Sequence, residues 1–419
     1  MTLVLVAFGT LLLTVIALNF STGEKKIDKE IVTQYSVHDP EFRHVMSNLL
    51  GPAILPGNRA TALTNGDEIF PAMLAAIRSA RHTITFETFI YWSGDIGQEF
   101  SDALSERARA GVKVHVLLDW VGSVKMQDAY MECMRAAGVH IRKYHPLRWY
   151  TLARLNNRTH RKLLVVDGRV GFTGGVGIAD TWLGHAQWPD HWRDSHYRIE
   201  GPVVAQMQAA FMDNWMKTTG EVLSEADYFP PLQPVGDQLA QVFKSSQGEG
   251  AESVRLMYLL SIAAARQTID IGNAYFVPDD LAVETLVAAL KRGVRVRLVL
   301  PGKHTDSKFV RGASRARWGK VLEAGAEIYE YQPALYHCKI MIVDGVWVSV
   351  GSTNFDSRSF RLNDEANLNI YDRDFAAQQL VHFDNDVLHS RRVTYEEWQN
   401  RPWLDKILEH GSALFRSQL

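Results

Sequence analysis

Apolar and polar positions alternate along most of this chain with the periods of helices and strands, and one stretch departs from that pattern. Met1 to Phe20 carries no charged side chain and is rich in Leu, Val, Ala, Ile and Phe, long enough to cross a bilayer as one helix. With no basic residue ahead of it and no small-x-small exit, the run reads as an uncleaved anchor over residues 1–20. Lys25, Lys26 and Lys29 follow it and no Lys or Arg precedes it, which places the body on the cytoplasmic side. After a membrane-proximal segment, 21–59, Phe70 to Ser79 has helical periodicity. Arg81 to Ile90 is β-rich, a second helix ends at Gly111, and Val112 to Leu118 forms the next strand. Helix, strand, helix, strand implies parallel pairing through crossovers and an α/β fold.

The pattern then recurs. Ala265-Arg266-Gln267-Thr268-Ile269 mirrors Ala80-Arg81-His82-Thr83-Ile84, Arg292-Gly293-Val294-Arg295-Val296 mirrors Ala110-Gly111-Val112-Lys113-Val114, and Glu323-Ala324-Gly325 mirrors Ala136-Ala137-Gly138. The period, about 180 residues, is domain-sized, so this is an internal duplication rather than a solenoid. Tyr228 to Pro234 and the polar Ser245 to Gly250 read as a linker region. The expected domains are 60–234 and 235–395, with a tail at 396–419. A duplication of this kind packs about a pseudo-two-fold axis.

Composition narrows the function classes. A chain of 419 residues, 46% of them apolar, buries a core too large for one ordinary domain. A formal charge of −2 does not suit a general nucleic-acid binder. Two cysteines, Cys133 and Cys338, provide neither a disulfide framework nor a zinc pair.

Each half ends in the same signature, H-x-K-x-x-x-x-D-G: His160-Arg161-Lys162 with Asp167-Gly168, and His337-Cys338-Lys339 with Asp344-Gly345. One such match at a given start is on the order of a one in 10⁵ event. The runs Leu163 to Val166 and Ile340 to Val343 read as buried strands and Asp-Gly as their hairpin turns, which puts the motif on a strand. Alternation then sets His160 beside Lys162 and His337 beside Lys339, with Arg161 and Cys338 on the opposite face. Cys338 is expected in the core. If the halves meet about a two-fold axis, two imidazoles and two ammonium groups converge on one pocket suited to a tetrahedral phosphodiester. One imidazole attacks phosphorus, the other protonates the leaving alkoxide, and the lysines stabilise the non-bridging oxygens. This chemistry requires no metal. Asp167 and Asp344 belong to the same candidate catalytic set by type, but their place at hairpin turns favours bonding to turn amides, as structural supports.

These motifs, with Thr173-Gly174-Gly175 after the first and Gly351 to Ser359 after the second, closely resemble the phospholipase D superfamily. Trp192 to Pro202 and Arg361 to Glu365 look like the bacterial cardiolipin synthases within it. The resemblance covers roughly residues 60–395. It implies two homologous phospholipase D-like domains, each a β-sheet flanked by helices, beside the N-terminal transmembrane helix. It also implies a phosphatidyl-histidine intermediate, no metal and no cofactor. The phosphatidyl group would pass to the glycerol hydroxyl of phosphatidylglycerol, itself the donor in an anionic bilayer, with glycerol leaving. His160 would be the nucleophile and His337 the general acid and base, or the reverse. Lys162, Lys339, Ser352 and Asn354 would hold phosphate oxygens, and Asp194 and Glu365 would orient the imidazoles, in a pairing the sequence leaves open. Gly177 stands where the second half has Asn354, which removes an amide donor from the first half. The implied location is the bacterial inner membrane. A hydrolytic phospholipase D, a superfamily nuclease and a non-catalytic membrane scaffold are the alternatives. The nuclease suffers from the anchor and the acidic balance, and the scaffold from the intact His and Lys positions.

Three further signals admit bland readings. His185, Asp190, His191, Asp194 and His196 contain ligand types but no metal spacing, and with Trp182, Trp188 and Trp192 they are expected at the rim of a lipid entrance. Leu147 to Leu155 mixes aromatic, aliphatic and basic residues, as an interfacial segment or a packed loop does. Lys303, Lys308, Arg311, Arg315 and Arg317 either attract anionic headgroups or form a solvated face.

Overall fold

The structure, a computed structural model, describes residues 6–14, 27–146, 157–246 and 252–415. In the first half, helix Asn65–Ser79 leads into strand Thr83–Thr88. That strand pairs in parallel with Lys113–Asp119, and Lys113–Asp119 with His140–Tyr144, through helices Asp95–Arg109 and Asp128–Ala136. A parallel pair needs such a crossover. The chain then reverses: Leu163–Val166, Val170–Gly174, Ser195–Glu200 and Leu55–Thr64 extend the sheet antiparallel on the other side of Thr83–Thr88. The second half repeats the plan. Thr268–Asn273, Arg295–Pro301 and Glu327–Tyr331 are parallel, while Lys339–Val343, Trp347–Gly351, Asn363–Tyr371 and Gln238–Ser245 are antiparallel.

The two series meet where Leu55–Thr64 pairs antiparallel with Gln238–Ser245, giving one sheet of 16 strands. Helices cover it, so inner strands such as Leu163–Val166 and Lys339–Val343 are buried on both faces. The middle apolar cluster draws on both halves: Leu163, Val165 and Trp215 from one, Val350, Leu368 and Phe375 from the other. Both hairpins turn at Asp-Gly with positive φ at each residue, +52° and +61° at Asp167 and Gly168, +49° and +61° at Asp344 and Gly345. That backbone is what a tight turn between twisted strands requires.

Val37, Phe42 and Met46, ahead of the first strand, join the second half's core. Helix Pro40–Asn48 sets Phe42 edge-on to Trp347 at 5.1 Å, and Val37 N–H donates to the Ala264 carbonyl at 3.2 Å. Of the apolar run 1–20, residues 6–14 are helical with Val6, Phe8, Leu11, Leu12 and Leu13 exposed, and the rest lies outside the described residues. Among the described residues no helix is long and apolar enough to cross a membrane. The expected tail contains helix Trp403–Ala413, packed along helix Lys308–Glu323.

Candidate active site

His160 and His337 lie just ahead of the strands Leu163–Val166 and Lys339–Val343, not within them, a correction to the expected placement. There each chain segment leaves its own sheet neighbour and bonds across to the other half. His160 N–H donates to the Asp364 carbonyl at 2.8 Å, and His337 N–H to the Arg193 carbonyl at 2.7 Å. Arg158–Thr159 pairs in parallel with Asn363 and Asp364, and Arg193 bridges Tyr336 likewise.

The exchange extends to the side chains. His160 Nδ1 lies 2.9 Å from both carboxylate oxygens of Glu365, and His337 Nδ1 lies 2.7 Å from Asp194 Oδ2. Each imidazole is therefore oriented by an acid from the opposite half, the pairing the sequence left open. With Nδ1–H donating to a carboxylate, the nitrogen presented for chemistry is Nε2 in both rings. Lys162 Nζ donates to the His160 carbonyl at 2.8 Å, and Lys339 Nζ lies 3.1 Å from His337 Nδ1 while also donating to its carbonyl. Phe89 meets the His160 ring at 5.2 Å, and Trp182 and Trp192 flank His337, each at 5.4 Å.

The two acids differ by one methylene, and their surroundings compensate. Glu365 also accepts from Ser352 Oγ at 2.5 Å. The matching position in the first half is Gly175, where a Cβ would stand 2.1 Å from Asp194 Oδ1. The shorter acid needs that space and takes its extra donors elsewhere, from Trp182 Nε1 at 2.9 Å and Ser195 N–H at 2.8 Å.

His160 and His337 are only 8% and 6% exposed, and Lys162 and Lys339 are buried with them. Burial pushes the His160 imidazole down to about 4 against the opposing pull of Glu365, and it lowers His337 too. Burial also brings Lys162 down to about 7 and lowers Lys339. Burial by itself would raise Asp194 and Glu365, but the facing imidazoles and lysines outweigh it and hold both carboxylates below their ordinary range. The site is thus built from charged carboxylates facing hydrogen-bonded imidazoles that burial biases toward the neutral form, with ammonium groups that a second anion would help to keep protonated.

Several expected residues have other tasks. Asp167 accepts the N–H groups of Arg81, His82 and Thr83, and Asp344 those of Arg266, Gln267 and Thr268. They tie the far end of each motif strand to the start of its neighbour, about seven residues or 20 Å from the imidazole, and are not members of a catalytic pocket. Ser352 is occupied by Glu365 and by the Ala366 N–H at 3.0 Å, so it positions an acid rather than receiving phosphate. Asn354 is buried with its carboxamide oxygen unpartnered. Gly177 leaves no room for an amide, since a Cβ there would stand 2.8 Å from that of Ile90. Trp182 lies beneath His337 rather than on a rim, while Trp188 is exposed. His185 reaches Asp67 at 3.2 Å, and among the described residues no group of three His, Cys, Asp or Glu side chains is placed to hold a metal. Leu147 to Leu155 lies outside the described residues.

One residue beneath the site was not singled out from the sequence. Arg161, fully buried, donates to the carbonyls of Ala210 and Ser245, to Asp213 Oδ2 at 3.1 Å and to Ser246 Oγ at 2.9 Å, and so knits the two halves together behind His160. The available signal was an arginine on the far face of a strand with no solvent side. Cys338 occupies the corresponding place in the second half, and the guanidinium there is Arg193, bidentate to Asp386 at 2.8 and 3.0 Å.

A duplicated α/β sheet that brings one H-x-K motif from each half against the other half's acid defines the class, the phospholipase D superfamily. The family described as "Cardiolipin synthase, PLD-like domain" matches residues 73–215 and again residues 258–387. The chain is 38% identical over 360 residues to the cardiolipin synthase of Geobacillus kaustophilus, covering 85% of this chain and 72% of the relative. It is 34% identical over 360 residues to the major cardiolipin synthase of Bacillus subtilis, covering 85% and 74%. The crystal structure of phosphatidylserine synthase from Haemophilus influenzae shares the fold, with a TM-score of 0.69 over 91% of this chain and all of that one at 16% identity. The chain belongs to the cardiolipin synthase family and is a phosphatidyltransferase that acts on phospholipids.

Proposed function

We propose that this enzyme transfers phosphatidyl from one phospholipid to the glycerol hydroxyl of phosphatidylglycerol through a covalent phosphohistidine. The observation that carries the reading is the reciprocal exchange, in which two imidazoles are each fixed at Nδ1 by an acid of the opposite half. With His160 neutral and His337 entering as the imidazolium paired with Asp194, His160 Nε2 attacks phosphorus, the bond from phosphorus to the glycerol headgroup oxygen breaks, and His337 Nε2–H gives that oxygen its proton, leaving His337 neutral. The second lipid's hydroxyl then loses its proton to His337 and attacks the same phosphorus. The P–N bond breaks and His160 is restored. Glu365 and Asp194 stabilise whichever imidazole carries positive charge, and Lys162, Lys339 and Asn354 serve the non-bridging oxygens. The near-equal equipment of the two imidazoles supports a site that runs in both directions, with His160 assigned as nucleophile.

In this reading the halves 60–234 and 235–395 are homologous domains about a pseudo-two-fold axis, supported by the matching strand orders on either side of the central pair. The enzyme works at the bacterial inner membrane, anchored by residues 1–20, with the body in the cytoplasm and phosphatidylglycerol as donor and acceptor. The test is to incubate purified protein with labelled phosphatidylglycerol in mixed micelles and resolve the lipids. Cardiolipin and glycerol are the expected products; phosphatidic acid alone would make water the acceptor and overturn the transferase reading.

A further inference from the structure

The last helix, Trp403–Ala413, is mounted with its polar side toward the protein. Glu409, buried, accepts from Arg401 Nε at 2.6 Å and pairs with Arg315 at 3.1 Å on the helix it packs against, and Ser412 lies over Gly312 of the same helix. At about 100° per residue, Glu409, Ser412 and Ala413 share the inner side, each buried or half-buried. The outer side is a stripe roughly 140° wide made of Trp403, Leu404, Ile407, Leu408 and, in the turn that follows, Leu414 and Phe415. Trp403, Leu404, Ile407 and Leu408 are 68, 53, 59 and 64% exposed. A helix on a water-soluble surface normally buries such a stripe, because each of these side chains loses favourable transfer energy by staying wet.

The stripe continues onto the neighbouring helix through Phe309, itself exposed, whose ring lies 5.9 Å from that of Phe415. Cations border it: exposed Lys308 precedes Phe309 and half-buried Lys406 lies on the helix flank, while exposed Asp405 lies on the opposite border. An apolar stripe with a tryptophan at one end and lysines at its margin is the make-up of a helix lying in the headgroup region of an anionic bilayer.

We propose that helix Trp403–Ala413, with Phe309 and Phe415, inserts its outward stripe shallowly into an anionic phospholipid surface and so forms a membrane contact of the catalytic body. The proposal rests on the reading that the substrate is a bilayer lipid, and it specifies which face of the body meets that bilayer. Such a contact fixes the orientation of the body relative to the lipid plane, which a single N-terminal tether leaves free to swivel.

The test uses the full chain carrying Ile407→Cys in a Cys133→Ser background, Cys338 being buried, labelled with an environment-sensitive fluorophore and reconstituted in phosphatidylglycerol–phosphatidylcholine vesicles. Expected are a blue-shifted emission, loss of most of that emission with lipids spin-labelled near the headgroup, and weaker quenching when phosphatidylglycerol is omitted. Water-like emission overturns the proposal. A blue shift without quenching by spin-labelled lipid also overturns it, since the stripe then meets protein, for instance a second copy of this chain. Equal quenching in neutral vesicles overturns the role of charge. None of these readouts depends on turnover, so a failure of the transferase reading leaves them interpretable.

Discussion

Replacing Glu365 with Gln changes one atom at a site where the carboxylate contacts His160 with both oxygens at 2.9 Å and Ser352 Oγ at 2.5 Å. If the amide oxygen faces the ring, Nδ1–H keeps its acceptor, but the positive charge that forms on the imidazole loses its counter-charge. Two unit charges about 4 Å apart at an effective dielectric of about 20 interact by about 4 kcal/mol, which is about a thousandfold in rate. If the amide NH₂ faces the ring instead, Nδ1 must accept, the proton moves to Nε2 and the attacking lone pair disappears, a loss closer to 10⁴-fold. Glu365→Gln is therefore expected to lower kcat by about 10³ to 10⁴, with KM little changed, because the carboxylate never touches substrate. The assay is steady-state release of labelled glycerol from phosphatidylglycerol in mixed micelles, with near-ultraviolet circular dichroism to check the fold. A loss below about tenfold in a folded variant would refute the reasoning that the opposite half's acid powers His160.

The other predictions probe separate links. In the free enzyme kcat/KM should fall on the acid side as pH drops through about 4, where His160 takes up a proton and loses its lone pair. It should fall on the alkaline side as His337, whose imidazole burial holds below its ordinary value, loses the proton it gives the leaving oxygen, and further as pH rises through about 7, where Lys162 loses the proton that attracts phosphate; a flat profile from pH 3 to 9 would contradict both. Asp344→Asn removes an acceptor shared by three amides far from the imidazoles, so denaturant unfolding should show a loss of about 1–3 kcal/mol while kcat stays within about twofold, the outcome expected of a support. Arg161→Leu leaves the carbonyls of Ala210 and Ser245 without their buried donor and takes one of three cations from half-buried Asp213, which Lys217 and Lys244 still pair. The expected cost is about 1–3 kcal/mol of stability, and a variant as stable as the parent would show that the guanidinium is not what joins the halves.

Much of this site was legible because H-x-K recurs in register and the apolar runs after each His fix the strands. What sequence did not reveal is long-range. Glu365 lies 205 residues from His160, and the central pairing of Leu55–Thr64 with Gln238–Ser245, together with the crossed bridge of Arg158–Thr159 to Asn363–Asp364, brings the two segments together. Local alternation placed the histidines on strands, yet the ladder begins after them because their backbone bonds are spent on the other half. The resemblance implied a phosphate contact for Ser352, and its hydroxyl is bonded to a carboxylate that sequence spacing could not locate. Gly175 is legible only in retrospect, as the space that lets a shorter acid reach its ring. The tail was bounded at 396–419 with no element assigned, and which side of its helix faces the protein depends on Arg315 and Arg401 reaching Glu409.

The most direct test of the shared site is to mix the enzyme with phosphatidylglycerol, quench rapidly in alkali, where a phosphorus–nitrogen bond survives, and locate the phosphatidyl group by peptide mass spectrometry. The account predicts the group on His160 in the wild-type enzyme and its absence from Glu365→Gln. Turnover with no phosphatidyl group bound to either histidine would contradict it.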